Sequence, residues 1–589
     1  MTVLRFVFFP FRLLLALYYR ARNLRSTGNT LFHEMPERFV LVRPVGLFSM
    51  FVPVRDYNYF EYLATLRLLG ESPDLQTLIL VVPSVEASWA QVEEIGREVR
   101  RIGAAGKRVM AYCEGGNAKS LYLMACASER YAAPHAGFLA ILPEAEGYFF
   151  RGLLQKLGVQ VETYTAGKQK DESFEILTRR SWSPSSRKNQ EELVKSLHRA
   201  IFMTLGSPEG LEKKKAAAFQ RFLSERVSFD AQDLERLGFL KKRVAISRFR
   251  DHVLGDAPAT LPDGVEHPFG NRPPEPVASP TALRLERQIT NETTLLRRMG
   301  RRAYSPWKMR ALPSVALVVM DGAITMGRRQ EPQKAHGIQA QPLRDLIYGL
   351  AGSRDELVLL YIDSPGGSAD ASELLFEAVY TLSRKKPVFA LVGATCASGG
   401  FYIASAANRI YAPAISLLGS IGVIRIRPNL TGLYQRVGVD RRSLGRKPGR
   451  EILSETGPLS ERTKRIVRDE LKKSYELFVG RVALGRNCEE KQVHRVAGGR
   501  VWTADTFQKA GLIDGQLSLV EVMENYRREA GFPDQQQFRL NMYPQVKTDV
   551  RSLVSGRIPF SLGMGHALES LAGEKGLSYF SLASQMIRE

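Results

Sequence analysis

Cysteine is scarce in this chain of 589 residues: Cys113, Cys126, Cys396 and Cys488, with no CxxC pair among them. That spacing excludes a disulfide framework or a cysteine zinc site and reads as buried free thiols. Histidine is also thin, with eight residues and no HExxH, so no metalloprotease signature is present. Acidic charge is short of basic: 61 Asp and Glu against 83 Lys and Arg leave a formal net charge of +22. A surface so basic selects an anionic partner. With no zinc-finger or RNP signature, and Lys and Arg scattered along the chain, nucleic acid is excluded and a membrane lipid surface is expected. A long unbroken apolar run is missing too. The opening "MTVLRFVFFPFRLLLALYYRARNLR" is interrupted by Arg5, Pro10 and Arg12, whereas a spanning helix needs about 20 mostly apolar residues. No A-x-A-like site follows, which excludes an ordinary cleaved signal peptide. Residues 1–27 therefore read as an interfacial, membrane-seeking anchor.

What is present is a duplication. Apolar residues make up 44% and charged residues 24%, ordinary for a folded protein, and the length calls for at least two domains. "RFVLVRPVG" (38–46) resembles "SVALVVMDG" (314–322), and "LQTLILVVPS" (75–84) resembles "LVLLYIDSPG" (357–366). The stretch ending "CASERYAAP" parallels the one ending "SAANRIYAP"; Tyr122 matches Tyr402 and Tyr131 matches Tyr411, an offset of 280 in both cases. Further on, "LLQKLGVQVETYTAGKQK" parallels "LYQRVGVDRRSLGRKPG". The organisation expected is a first repeat over 38–255, a Pro-rich linker and charged helix over 256–312, a second repeat over 313–530 and a tail over 531–589. Each copy alternates short apolar strands with helical segments, so the fold class is α/β, with tandem βαβ units and mostly parallel sheets.

In such units ligands sit at the carboxyl ends of the strands, where "DSPGGS" (363–368) and "TCASGG" (395–400) emerge. Gly366 and Gly367 allow close backbone approach to a substrate. Ser398 opens a helical run and is a candidate nucleophile; a capping residue in a tight turn is the bland alternative. A nucleophilic serine needs a base. Only His336 and His494 fall in the second repeat and neither has a triad companion. A lysine can serve if burial holds it neutral, at a cost of roughly 4–5 kcal/mol near pH 7.

These loops, with "GSIGV" (419–423) and the first copy's "AGKQK" (166–170), resemble the S49 family of serine peptidases, in its long two-repeat signal peptide peptidase form. The resemblance covers roughly 38–530. It implies a ClpP/crotonase-like fold and a Ser–Lys dyad divided between the repeats: Ser398 as nucleophile, Lys170 as general base, Ser420 positioning the lysine, and an oxyanion hole from Gly399 with Gly366 or Gly367. It also implies no cofactor and no metal, cleaved signal peptides and similar short apolar peptides as substrates, and a homotetramer. The expected location is the bacterial inner membrane with an extracytoplasmic catalytic body, although Arg20, Arg22 and Arg25 after the apolar run favour the cytoplasmic side by the positive-inside rule.

The duplication bears on this independently. The position matching Ser398 in the first copy is Ala118, and the position matching Lys170 in the second is Pro448. Each copy lacks what the other keeps, which a turn-filling serine and a solvated lysine do not predict. Lys168 and Lys447 stay open as alternative bases. Asp363 stands where the family usually has Asn, and a carboxylate there would raise the lysine's pKa. Two other readings stay open: a crotonase-like acyl-CoA enzyme, and a non-catalytic membrane scaffold derived from the peptidase.

Overall fold

The computed structural model describes residues 29–42, 57–249, 289–290, 312–328, 337–441, 450–533 and 537–544. The expected anchor (1–27), nearly all of the 256–312 segment, Lys447 and the tail beyond residue 544 lie outside the described residues.

The first repeat contains β1 (Thr30–Glu34), α1 (Tyr59–Glu71), β2 (Thr77–Val81), α2 (Trp89–Ala104), β3 (Arg108–Cys113), α3 (Ala118–Ala125), β4 (Glu129–Ala132), β5 (Gln160–Ala166), α4 (Pro184–Leu205) and β6 (Lys242–Arg243). Short apolar runs such as "TLILV" form strands because β-branched and aliphatic side chains pack well on a sheet covered on both faces. The helices start on side-chain caps: Ser88 and Gln91 form a capping box at α2, and Asn117 accepts from the Lys119 and Ser120 N–H groups at α3. The sheet order is β6-β4-β3-β2-β1, all parallel.

The second repeat contains β7 (Ser314–Asp321), α5 (Ala340–Leu350), β8 (Asp355–Ser364), α6 (Ala369–Ser383), β9 (Val388–Ala397), α7 (Gly399–Ala404), β10 (Leu417–Gly419), β11 (Val423–Asn429), α8 (Glu461–Arg486), β12 (Val501–Thr503), α9 (Leu519–Glu529) and β13 (Arg539–Tyr543). Its order is β12-β10-β9-β8-β7-β13, parallel except where β12 meets β10. The tandem α/β architecture is as expected.

Three details differ from the sequence reading. The first repeat's counterpart of β7 is β1 (Thr30–Glu34), which precedes residue 38; of the described part of "RFVLVRPVG" (38–42), Phe39–Val40 is a strand, in a short ribbon with Tyr57–Asn58. Its apolar pattern looked more strand-like than "TLFHE". Ile289–Thr290, inside a stretch expected to be helical, pairs with β1. The unplaced tail contributes β13, an edge strand beside β7.

The repeats share a continuous core. Tyr59 and Phe60 of α1 pack against Tyr361 of β8, with ring centroids 6.4 and 5.0 Å apart. From α2, the Glu93 carboxylate accepts from the Ala414 and Ile415 N–H groups and Glu94 from Leu519 N–H. Burial raises the Glu94 pKa to about 7. A second tie bears directly on function. β5 and β11, one from each repeat, form an antiparallel ribbon from Val423↔Ala166 to Asn429↔Gln160. The chain running out past Ala166 therefore meets the chain running in towards Val423, which brings residue 170 beside residue 420.

Candidate active site

Strands β8 and β9 are in register from Val358↔Val388 to Ile362↔Val392 and resume at Ser364↔Cys396. Residues 393–395 of β9 bulge opposite the single residue Asp363, two more than β8 supplies. Its two carboxylate oxygens accept from Ala394 N–H at 2.9 Å and Thr395 N–H at 3.0 Å. A bulge of this kind re-aims the chain beyond it, and here the chain delivers Ser398 to the start of α7. Asp363 thus serves the backbone. Lys170 has burial as the cause of its shift, so the expected upward pull of Asp363 on the lysine is not realised.

Ser398 sits at φ 51° and ψ −119°, a region L-residues rarely occupy, and its side chain makes no capping bond to α7. Its N–H donates to Gly419 O at 2.7 Å, tying the serine to the loop that carries Ser420. Ser420 is also at φ 51°.

Lys170 is 5% exposed. Its Nζ lies 3.2 Å from Ser398 Oγ and 2.9 Å from both Ser420 Oγ and Ser420 O. Burial lowers its pKa to about 7, because a low-dielectric site disfavours the ammonium form. The structure thus brings together Ser398, Lys170 and Ser420. Lys168 is exposed and does not join them.

The three glycines divide. Gly366 N–H donates to Ser364 Oγ at 3.1 Å, and Ser364 Oγ in turn donates to Gly322 O. Gly366 is therefore engaged, which leaves Gly367 and Gly399 N–H as donors with no hydrogen-bond partner recorded among the described residues. Close packing requires this loop to be glycine: a Cβ on Gly366 would lie 2.7 Å from Ser398 Cβ, and one on Gly367 would lie 2.1 Å from Ile324 O. Ser364 was missed from sequence, although its place in "DSPGG" could have flagged it. Residues 498–500, which pack directly on the lysine loop, were missed as well. Among the described residues no cluster of His, Cys, Asp and Glu could hold a metal ion, and no helix is long and apolar enough to cross a membrane.

Comparison with known proteins agrees with this architecture. Residues 101–244 and 381–532, together half of the chain, match peptidase family S49. The chain is 26% identical over 504 residues to the chloroplastic serine protease SPPA of Arabidopsis thaliana, covering 85% of this chain and 70% of that one. It is 22% identical to Protease 4 of Salmonella typhi over 84% of this chain and 75% of the other. Among solved structures, a membrane-bound stomatin-specific protease matches at 17% identity and a TM-score of 0.24, covering 41% of this chain and 98% of that one. Family membership favours a peptidase over the acyl-CoA enzyme. With the family's match falling once in each repeat, this chain belongs to peptidase family S49, as a serine peptidase built from two copies of its unit.

Proposed function

We propose that this chain is a membrane-associated serine endopeptidase using a Ser398–Lys170 dyad to degrade cleaved signal peptides and similar short apolar peptides. The observation that carries the reading is the 3.2 Å approach of Lys170 Nζ, from the first repeat, to Ser398 Oγ of the second. In the neutral amine, two N–H groups donate to Ser420 O and Ser420 Oγ. The lone pair is then left for the Ser398 hydroxyl proton. Ser398 Oγ attacks the scissile carbonyl as that proton passes to Nζ. The resulting oxyanion is met by the Gly367 and Gly399 N–H groups, each donor of this kind worth on the order of 3 kcal/mol. The ammonium then protonates the leaving amine, and a water repeats the sequence to release the acyl group.

Support for the substrate class comes from the family and from the basic chain, which suits a lipid-apposed body. Assembly as a homotetramer at the extracytoplasmic face of a bacterial inner membrane belongs to the same reading; light scattering and vesicle flotation test it. The decisive experiment pairs Lys170→Ala with Lys447→Ala, alongside a fluorophosphonate probe. The probe labels the wild type and not Ser398→Ala, and only Lys170→Ala abolishes peptide cleavage. If only Lys447→Ala abolishes it, the dyad is wrong; if nothing is labelled or cleaved, the scaffold reading takes its place.

A further inference from the structure

The lysine reaches Ser398 from a loop more than 220 residues away, so something must hold that loop down. One three-residue segment contacts both sides of the site. Gly498 O accepts from Gln169 N–H at 2.7 Å, beside the lysine; Gly498 N–H donates to Ile421 O at 3.0 Å, and Arg500 O accepts from Ser420 N–H at 2.8 Å. Gly499 lies flat against the lysine itself: a Cβ there would fall 2.5 Å from Lys170 Cα and 2.6 Å from Lys170 N. The segment is anchored across the repeats by Arg500, whose guanidinium pairs with Glu192 of α4 at 2.5 Å and lies 3.8 Å over the Trp502 ring.

The duplication supplies a control. β12 pairs with β10 through Gly419↔Val501, and in the first repeat Ser228 pairs with Leu139 in the same way. The bond from Ser420 N–H to Arg500 O has its counterpart in Ala140 N–H to Val227 O. Gly498, Gly499 and Arg500 therefore correspond to Glu225, Arg226 and Val227. In the first repeat, where no lysine loop docks among the described residues, that turn carries full-sized side chains exposed to solvent; in the second, under the Lys170 loop, it is Gly-Gly and buried.

We infer that Gly498, Gly499 and Arg500 form a positioning clamp for the general base, holding Lys170 and Ser420 in one register and locked by the Arg500–Glu192 pair. The inference rests on the Ser–Lys reading above. It is tested with the full chain and an internally quenched apolar peptide, following kcat, KM and the acidic limb of the kcat/KM–pH profile. Gly499→Ala lowers kcat by roughly 10- to 100-fold with KM within about two-fold. It also moves the acidic limb upward by about one pH unit, because a displaced amine regains water. Glu192→Gln and Arg500→Ala move both readouts the same way by smaller amounts, and Arg500→Lys restores part of the loss. Glu225→Ala and Arg226→Ala change neither. Should Gly499→Ala fail to fold, Glu192→Gln and the Arg500 pair decide, since Glu192 is 44% exposed. A fall in kcat with an unmoved limb marks a merely structural role and overturns the clamp. Wild-type behaviour of these variants beside a dead Lys170→Ala also overturns it while leaving the dyad standing. A Lys170→Ala that still cleaves defeats the base and the clamp with it.

Discussion

Two helix starts occupy the same place in the two repeats and are built in opposite ways. In the first, Asn117 is extended at φ −114°, caps two N–H groups of α3 and forms a capping box with Ser120. In the second, Ser398 stands at φ 51° with no capping bond, leaving its hydroxyl for Lys170 Nζ. The strand registers align the two turns one residue out of step: Asn117 pairs with Leu139 as Ala397 pairs with Gly419, so the cap of the first stands just before the position, Ala118, that matches Ser398. One start is optimised for stability. The other accepts strain and an uncapped helix, and its oxygen faces the Lys170 amine. The lesson is that the same backbone turn serves packing or chemistry according to whether its side chain is satisfied locally.

The largest expected effect that would break this comparison is on rate. Ser398→Ala should reduce peptide cleavage by on the order of 10⁴-fold or more, whereas Ala118→Ser should create no activity, since the position matching Lys170 in the other copy is Pro448. A probe-labelled Ala118→Ser, Ser398→Ala double variant would contradict this. Next comes the lysine. Its folded pKa of about 7 lies below its ordinary 10.5, so burying it weakens the fold at and below pH 7, and the penalty fades as pH rises towards 10.5. Lys170→Met should therefore be inactive yet more stable near pH 7, by at most about 5 kcal/mol. Chemical denaturation from pH 7 to 10 checks that the gain shrinks with pH. In the active protein, kcat/KM should rise with pH through about 7 as the amine loses its proton.

Smaller effects sharpen the contrast. Ser398→Gly relieves the backbone strain and should raise stability by about 1 kcal/mol while abolishing cleavage; unchanged stability would mean that Ser398 is unstrained. Asn117→Ala loses a cap and should lower stability by about 1 kcal/mol, with kcat/KM within about two-fold of wild type. A comparable loss of activity would show that the first repeat's helix start does more than pack.

Much of the fold could be read from alternating apolar strands and turn residues, and the neighbourhood of Ser398 and Lys170 from what each copy lacks. Less was legible wherever the deciding contact lies far along the chain. Nothing in "AGGR" announces that a loop some 330 residues earlier lies on its two glycines. Asp363 looked like a threat to the lysine because its partners are backbone N–H groups of a bulge, which leave no side-chain signature. "RFVLVRPVG" outshone "TLFHE" as a strand because hydropathy ranks apolar content and is blind to pairing.

The ribbon of Gln160–Ala166 against Val423–Asn429 carries a consequence for how the protein comes to life. On the proposed dyad, a nascent chain that has made only its front half holds an amine with no alcohol to deprotonate, and the rear half by itself holds an alcohol with no amine. Cutting power thus arrives late, when the last strands have found their partners. On that reading a half-made or broken molecule cannot cut its neighbours.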